Sequence, residues 1–305
     1  MQFWLIQILN SIALAGLLFL LSSGFSLIFG LMRIPNLAHG ALFMLGAYLG
    51  ASLLGGGGFN VWLTGKLGES WITAVLSNFW VAAVLAGIVV GALGTIVERT
   101  LLRQLAGNEQ GQVLVTLGVA FIIADVCLLQ WGGDPVAVQA PAELRAPFRI
   151  AGLAFPTYRV VVLGLAIMSA MLLYGLMERT RLGAMIRAGV DDMQMARGVG
   201  IRVSQLFTVV FFLGAALAGF GGVIGGPIMS AYPGLDSEML PLALVVVILG
   251  GTGSLLGAFV GSFLIGFIYN FGISLFPDLA YVILFLPMVL ALVFKPEGLF
   301  GRVQT

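Results

Sequence analysis

Long apolar runs recur from one end of the chain to the other, and only short polar segments separate most of them. A helix needs about 20 apolar residues to cross the hydrocarbon core of a bilayer. The runs cover approximately residues 3–31, 37–55, 79–97, 112–132, 159–177, 205–226, 239–252, 255–276 and 280–294. Only 9% of the 305 residues are charged, whereas soluble domains carry roughly 25%. The sequence therefore predicts an all-α, polytopic membrane protein with a single transmembrane domain over residues 1–305.

The number of spans is predicted to be eight to ten. The run 239–252 is short and ends in glycines, which is typical of a re-entrant or broken segment. Residues 59–78 have room for one further short helix. The chain contains 43 glycines, and small residues allow helices in a bilayer to approach closely. We therefore expect a closely packed helical bundle.

The longest charged stretch between two apolar runs covers residues 178–204, and we name it the polar segment. It holds five arginines and three acidic residues. Its apolar residues fall within about 140° of arc on a helix, and they are Leu182, Met185, Ile186, Val190, Met193 and Ala196. This pattern predicts an amphipathic, basic docking surface on the cytoplasmic side. The alternative is an ordinary basic loop that only sets the topology.

Basic residues are unequally divided between the two sides of the membrane. If the N-terminus lies outside and every run crosses, ten basic residues fall inside and four fall outside. Cytoplasmic loops carry the excess of Lys and Arg in membrane proteins. The sequence therefore predicts an outer N-terminus, a cytoplasmic C-terminus and a cytoplasmic polar segment.

Several polar residues lie inside the apolar runs. Gln7, Ser11, Ser22 and Ser26 share about 100° of arc on the first run. This face either lines a translocation path or makes hydrogen bonds to a neighbouring helix. Asp125 lies in the outer half of the run 112–132. A carboxylate inside a membrane is costly, so Asp125 either belongs to the path or bonds to a neighbouring helix.

Motifs for catalysis or metal binding are absent from the sequence. His39 is the only histidine and Cys127 the only cysteine, so neither can be part of a His/Cys metal site. The chain also lacks a phosphate-binding loop, a nucleophile elbow and a zinc-protease helix. We expect no enzyme activity and no cofactor of its own. The net charge of +1 implies no strong electrostatic attraction to nucleic acid, and we expect no nucleic-acid partner.

Four segments occur in the same order as in a known family. They are NLAHGALFMLGAY at 36–48, TRLGAMIRA at 180–188, GGTGSLLGA at 250–258 and FKPEGLFG at 294–301. Together they resemble the branched-chain amino acid ABC-transporter permeases of the LivH type. Ala196 and the pair Gly200-Ile201 also fit the cytoplasmic coupling loop of that family.

The resemblance implies an inner-membrane subunit of an importer for branched-chain amino acids or a related small polar solute. Such a subunit pairs with a second, similar permease chain. Two cytoplasmic ATPases bind the ATP, and a periplasmic binding protein delivers the solute. An ion-coupled secondary transporter and a passive channel for a small solute remain as alternatives.

The resemblance also assigns roles within the polar segment. The residues expected to contact the ATPases are Gly183, Arg187, Ala188, Asp191, Asp192, Ala196 and Gly200. Asp191 or Asp192 is predicted to be the N-cap of a short helix, and Gly198 is predicted to lie just past its end. Such a helix would fit a cleft on an ATPase and transmit its motion as a rigid lever.

Overall fold

The computed structural model describes residues 2–32, 35–55, 75–150, 153–295 and 297–301. Most of the segment 59–78, which has room for a further short helix, falls outside these residues. Of the basic residues used for the orientation, Arg33, Lys66 and Arg302 also fall outside them.

The described part of the chain contains eleven α-helices, two short strands and four short 3-10 or π-helical segments. The helices are α1 Gln2–Met32, α2 His39–Leu53, α3 Phe79–Val97, α4 Glu109–Trp131, α5 Thr157–Arg179, α6 Arg181–Asp191, α7 Met193–Gly198, α8 Val203–Met229, α9 Leu235–Gly250, α10 Leu255–Leu275 and α11 Ala280–Phe294. Strands β1 Pro147–Ile150 and β2 Leu153–Pro156 form a two-stranded sheet.

Each of the nine predicted runs corresponds to a helix. In the described residues, six helices are long and apolar enough to cross a membrane, namely α1, α3, α4, α5, α8 and α10. The short run 239–252 forms α9, which contains Pro241 and begins four residues before the run. Asp236 and Glu238 lie in its first turn, where the positive end of the helix dipole favours acidic side chains. The polar residues therefore extend this helix beyond its apolar run.

The chain divides into two compact units. Unit 1 contains residues 1–35, 148–211 and 241–305. Unit 2 contains residues 36–147 and 212–240. Helices α8 and α9 each have residues in both units.

Helix α1 lies at the centre of unit 1, where it packs mainly against α10 and α5. Glycines permit both contacts. A Cβ at Gly266 would lie 2.9 Å from the backbone carbonyl oxygen of Ser11, and one at Gly16 would lie 3.3 Å from Ala166 Cβ. Small residues at such crossings bring the helix backbones close enough for dispersion contacts. Most of α1 is consequently buried.

In unit 2, helix α2 packs against α3 and α4 and also crosses residues of α8. A Cβ at Gly46 would lie 2.6 Å from the Cα of Gly219, so the two backbones touch without intervening side chains. Towards the end of α2, the Tyr48 and Trp131 rings stack with centroids 5.1 Å apart. The Trp131 indole nitrogen donates a hydrogen bond of 2.6 Å to the Ser52 hydroxyl.

Candidate functional site: the polar segment and the polar groups of the spans

The polar segment folds into two helices, α6 and α7, and the second is the short helix predicted to begin at Asp191 or Asp192. The break falls at Asp192, whose backbone is extended at φ −149° and ψ 105°. Its Oδ1 atom accepts hydrogen bonds from the backbone nitrogens of Gln194, at 2.8 Å, and Met195, at 2.9 Å. Asp192 is therefore the N-cap of α7, and this confirms one of the two predicted caps. Asp191 is the last residue of α6.

Gly198 is the last residue of α7, so the prediction that it lies just past the helix end is wrong. The residue that stops the helix is Gly200, with φ +87°. The nitrogen of Ile201 bonds to the Ala196 oxygen and that of Gly200 to the Arg197 oxygen, both at 3.0 Å. These two bonds form a Schellman motif, in which the residue after the helix adopts a left-handed conformation that favours glycine. Helical spacing alone does not distinguish the two glycines.

Helix α6 is folded tightly against the end of α5. The Thr180 hydroxyl donates to the Leu176 oxygen at 2.6 Å and accepts from the Gly183 nitrogen at 3.1 Å. A Cβ at Gly183 would lie 2.1 Å from the Met177 oxygen, closer than any side chain can come. The glycine thus permits the last carbonyls of α5 to touch α6.

Arg187 completes this junction inside the chain. Its guanidinium donates a hydrogen bond to the Met177 oxygen and lies 3.5 Å from the Glu178 carboxylate. Carbonyls of the last helical turn have no partner in their own helix, and a cation there is favoured by the helix dipole. Gly183 and Arg187 therefore have positioning roles within the polar segment, and their contact with an ATPase stays a prediction.

The inner side of the polar segment packs on other residues of unit 1. Ile186 is buried, and a Cβ at Gly189 would meet Leu31 at 3.1 Å and Leu206 at 3.2 Å. Ala196 is 2% exposed, so its side chain points into the same chain. Ala188 is half-buried.

Two exposed apolar side chains that the stripe does not include lie on α7 and at the residue that follows it. Met195 is 65% exposed and Val199 is 70% exposed. Arg197 and Arg202 are exposed near them in sequence. The stripe misses Met195 and Val199 because it assumes one helix axis for the whole segment, whereas α7 follows a break. Their four-residue spacing, which gives two apolar residues on one face of a short helix, is the signal that could have identified them.

Of the predicted path residues, Gln7 and Ser11 belong to a hydrogen-bonded cluster between α1 and α10. Gln7 Nε2 donates to Ser274 Oγ at 2.7 Å. The Asn270 amide donates to Gln7 Oε1 at 2.9 Å and to Ser11 Oγ at 3.1 Å. Both residues of α10 were missed by the prediction, although polar residues at i and i+4 in an apolar run mark a polar face. The cluster fits the interhelical alternative for this face of α1.

Ser22 and Ser26 lie further along the same face and are 0% and 2% exposed. Their hydroxyl oxygens make no hydrogen bond within the part of the chain that the structure describes. Buried hydroxyls are usually bonded, so these two differ from Ser11. The structure does not bring them into the cluster formed by Gln7 and Ser11.

Asp125 belongs to unit 2 and is exposed on α4. Among the described residues it has neither a hydrogen bond nor an ion pair, so the predicted bond to a neighbouring helix is not seen within the chain. A different acid is buried: Glu98, 1% exposed, pairs with Arg103 at 3.2 Å after the end of α3. No cluster of three or more potential metal ligands occurs in the described ranges.

Comparison with known proteins assigns the chain to a family. Residues 7–292 match the family described as "Branched-chain amino acid transport system / permease component". The permease protein BraD of a high-affinity branched-chain amino acid transport system in Pseudomonas aeruginosa is 25% identical, over 98% of this chain and 96% of that protein. The corresponding LivH protein of Escherichia coli K12 is 24% identical over the same shares.

A more distant similarity covers about half of the chain. The autoinducer 2 import system permease protein LsrC of Klebsiella pneumoniae is 30% identical over 176 residues, which are 52% of this chain and 49% of that protein. The family match over residues 7–292, by contrast, begins within α1 and ends within α11. The chain, a multi-pass helical membrane protein, therefore belongs to the family of branched-chain amino acid transport system permease components.

Proposed function

We propose that this protein is the permease subunit of an ABC importer that moves branched-chain amino acids across the inner membrane. The family assignment over residues 7–292 and the full-length similarity to BraD and LivH support the transport class and this solute. The six long apolar helices supply the membrane-spanning part of such a subunit. The chain works with a second, similar permease chain, two cytoplasmic ATPases that bind ATP, and a periplasmic binding protein.

The N-terminus lies outside and the polar segment lies in the cytoplasm, where the ATPases bind. This orientation follows the excess of basic residues on one side. It brings the junctions of the polar segment with α5 and α8 to the cytoplasmic ends of those spans.

The exposed surface formed by α7 and its C-cap residue Val199 is the observation that carries the proposed ATPase docking. Met195 and Val199 are large apolar side chains exposed to 65% and 70% in a segment that is otherwise rich in charge. Protein interfaces combine a central apolar contact with a polar, often Arg-rich, surround. The ATPase thus docks on Met195 and Val199, with Arg197 and Arg202 at the edge of the contact.

The contacts of the polar segment couple a displacement of α7 to the membrane-spanning helices. Thr180, Gly183 and Arg187 fix α6 to the end of α5, and Gly189 packs on Leu206 of α8. When the ATPase displaces α7, close contacts rather than a flexible loop therefore transmit the displacement to α5 and α8.

Two glutamate substitutions test the docking surface. Met195→Glu and Val199→Glu place charges at exposed positions, so the yield and melting temperature of the permease should stay unchanged. Co-purification of the ATPases and ATP hydrolysis stimulated by loaded binding protein should fall at least about tenfold, because the charge would be buried unpaired in the contact. Ala184→Glu, at an exposed position on α6, is the matched control and should retain both activities.

Ala196→Glu gives a useful contrast. Because Ala196 is buried within the chain, its replacement should lower the melting temperature of the permease even without ATPases. If Met195→Glu and Val199→Glu retain full stimulated ATP hydrolysis, α7 is not the docking surface and the polar segment only sets the topology.

Uptake into proteoliposomes distinguishes the importer from its alternatives. With the complete complex, ATP inside the vesicles and loaded binding protein outside, radiolabelled leucine should accumulate against its gradient. An imposed ion gradient without ATP should drive no accumulation. Accumulation driven by the ion gradient alone would indicate a secondary transporter, and equilibration without either energy source would indicate a channel.

The translocation path is proposed to include Ser22 and Ser26. Their buried, unbonded hydroxyls can exchange hydrogen bonds with a passing polar solute, whereas Gln7 and Ser11 are already engaged with α10. Asp125 lies on an exposed face, which suits a path only if a second chain covers it.

A further inference from the structure

Asp125 lies in the middle of the exposed face of α4. The buried residues of this helix form one stripe, which consists of Gln112, Thr116, Val119, Ala120, Ile123 and Cys127. At 100° per residue, Asp125 points roughly opposite to that stripe. Its neighbours on the exposed face are apolar, with Phe121 at 62%, Ile122 at 64% and Leu129 at 86% exposure.

With the middle of α4 at the bilayer midplane, the Asp125 carboxylate lies inside the hydrocarbon core. Helix α4 has 23 residues, and Asp125 is five residues beyond its middle, or about 8 Å along the axis. The hydrocarbon core extends about 15 Å to each side of the midplane. A carboxylate in contact with lipid at this depth would cost several kcal/mol.

We propose that the Asp125 face of α4 docks a second, non-identical permease chain, whose span places a hydrogen-bond donor against the carboxylate. The donor would be an Arg, Lys, Asn, Gln or Tyr side chain set in an apolar helix face. This inference rests on the proposed function, because it assumes that the importer contains two permease chains.

Three occupants could cover this face: lipid tails, a second copy of this chain, or a different permease chain. Charge complementarity favours the different permease chain. Lipid tails offer no donor at this depth, so they cannot satisfy Asp125. A second copy of this chain, related by a twofold axis normal to the membrane, would bring another Asp125 to the same depth. Two like charges in a low-dielectric setting repel each other. A different chain can present the donor and keep the apolar surround.

Gly118 adds space for the partner on the same face. It lies two helical turns before Asp125, and a Cβ at this position would have no described atom within 4 Å. Small residues are the points at which membrane helices approach each other closely. A span of the partner can therefore cross α4 over Gly118 and reach Asp125 with its donor.

Photo-cross-linking in native membranes tests the proposal. A photoreactive phenylalanine analogue at Leu129 should give a covalent product that contains a second chain with the sequence of a related permease. The same analogue at Met171, which is exposed on α5, is the control and should give no such product. A product containing two copies of this chain, or lipid adducts only, would overturn the proposal.

Two substitutions make the test specific for Asp125 and Gly118. Asp125→Leu and Gly118→Leu should each reduce the yield of the Leu129 product about tenfold, because each removes one contribution to helix association. The melting temperature of the isolated permease should be unchanged or raised, since Asp125 is exposed and a Cβ at Gly118 meets no described atom within 4 Å. Gly164→Leu on α5, an exposed glycine with the same open surroundings, should leave the yield unchanged.

The outcome is separable from that of the uptake experiment. Loss of ATP-driven uptake with the Leu129 product retained would contradict the proposed function and leave this interface in place. Retained uptake with a Leu129 product that is insensitive to Asp125→Leu and Gly118→Leu would contradict the interface alone.

Discussion

Three glycines of the polar segment, Gly183, Gly198 and Gly200, differ in whether the structure requires a glycine at their position. Gly183 is required by close approach, because the Met177 oxygen occupies the space of a Cβ. Gly200 is required by its left-handed backbone. Gly198 has neither constraint, since it is helical and no described atom lies within 4 Å of a Cβ there. The family resemblance includes Gly183 and Gly200, and helix-end spacing singled out Gly198, yet only contacts and dihedral angles separate their roles.

Substitution of Gly183 by alanine should destabilise the polar segment. The added methyl group overlaps a backbone carbonyl that cannot move without shifting α5, so we expect a cost of about 1–3 kcal/mol. Thermal unfolding of the purified permease measures this as a lower melting temperature. Gly198→Ala is the matched control and should have no effect or a small stabilising one, because alanine favours the helix. Equal melting temperatures for the two variants would show that α6 does not rest on the end of α5.

Among the elements, the contact between α1 and α10 illustrates what the sequence can and cannot predict. The apolar runs locate both helices correctly, since the length and hydropathy of a span follow from the bilayer. The polar face of α1 is also readable from Gln7 and Ser11. Its partner is not, because the pairing with Asn270 and Ser274 joins residues more than 250 positions apart. Local periodicity contains no information on which helix lies opposite.

Replacement of Asn270 by leucine should weaken this contact. The change removes the donor to Gln7 and Ser11, and we expect a cost of about 1–2 kcal/mol in thermal unfolding. Gln7→Leu should cost less in the Asn270→Leu background than in the unmodified chain, because the two residues share one interaction. Uptake per assembled complex should be retained. Uptake lost at unchanged stability would instead place Gln7 and Asn270 in the translocation path.

The same limit explains the polar segment. Its amphipathic stripe and the Asp192 cap are visible in the sequence, because both depend on neighbours within a few residues. Whether the Ala196 side chain points towards its own chain depends on the orientation of α7 relative to α6 after the break at Asp192. Consequently the residues expected to contact the ATPases included the buried Ala196, and the exposed Met195 and Val199 emerged only from the structure.

At the scale of the whole molecule, the orientation in the membrane is a prediction from charge alone. It can be measured with single cysteines in a Cys127→Ser background, since Cys127 is the only cysteine and is buried. A cysteine at Ala142 should react with a membrane-impermeant thiol reagent added to the periplasmic face. A cysteine at Gln194 should be shielded until the membrane is opened. Both positions are exposed in the chain, so burial does not mask the result. Periplasmic labelling at Gln194 would reverse the topology.

Accessibility of Val199 in the assembled complex tests the central claim most directly. In the Cys127→Ser background, Val199→Cys should react rapidly with a maleimide in the isolated permease, because the side chain at 199 is 70% exposed. Addition of the ATPases should slow this labelling at least about tenfold, as expected for a residue at the centre of an interface. Ala142→Cys is the control and should be labelled at the same rate in both states. Unchanged labelling of Val199→Cys in a complex that hydrolyses ATP on stimulation would contradict the assignment of α7 as the surface that couples ATPase to permease.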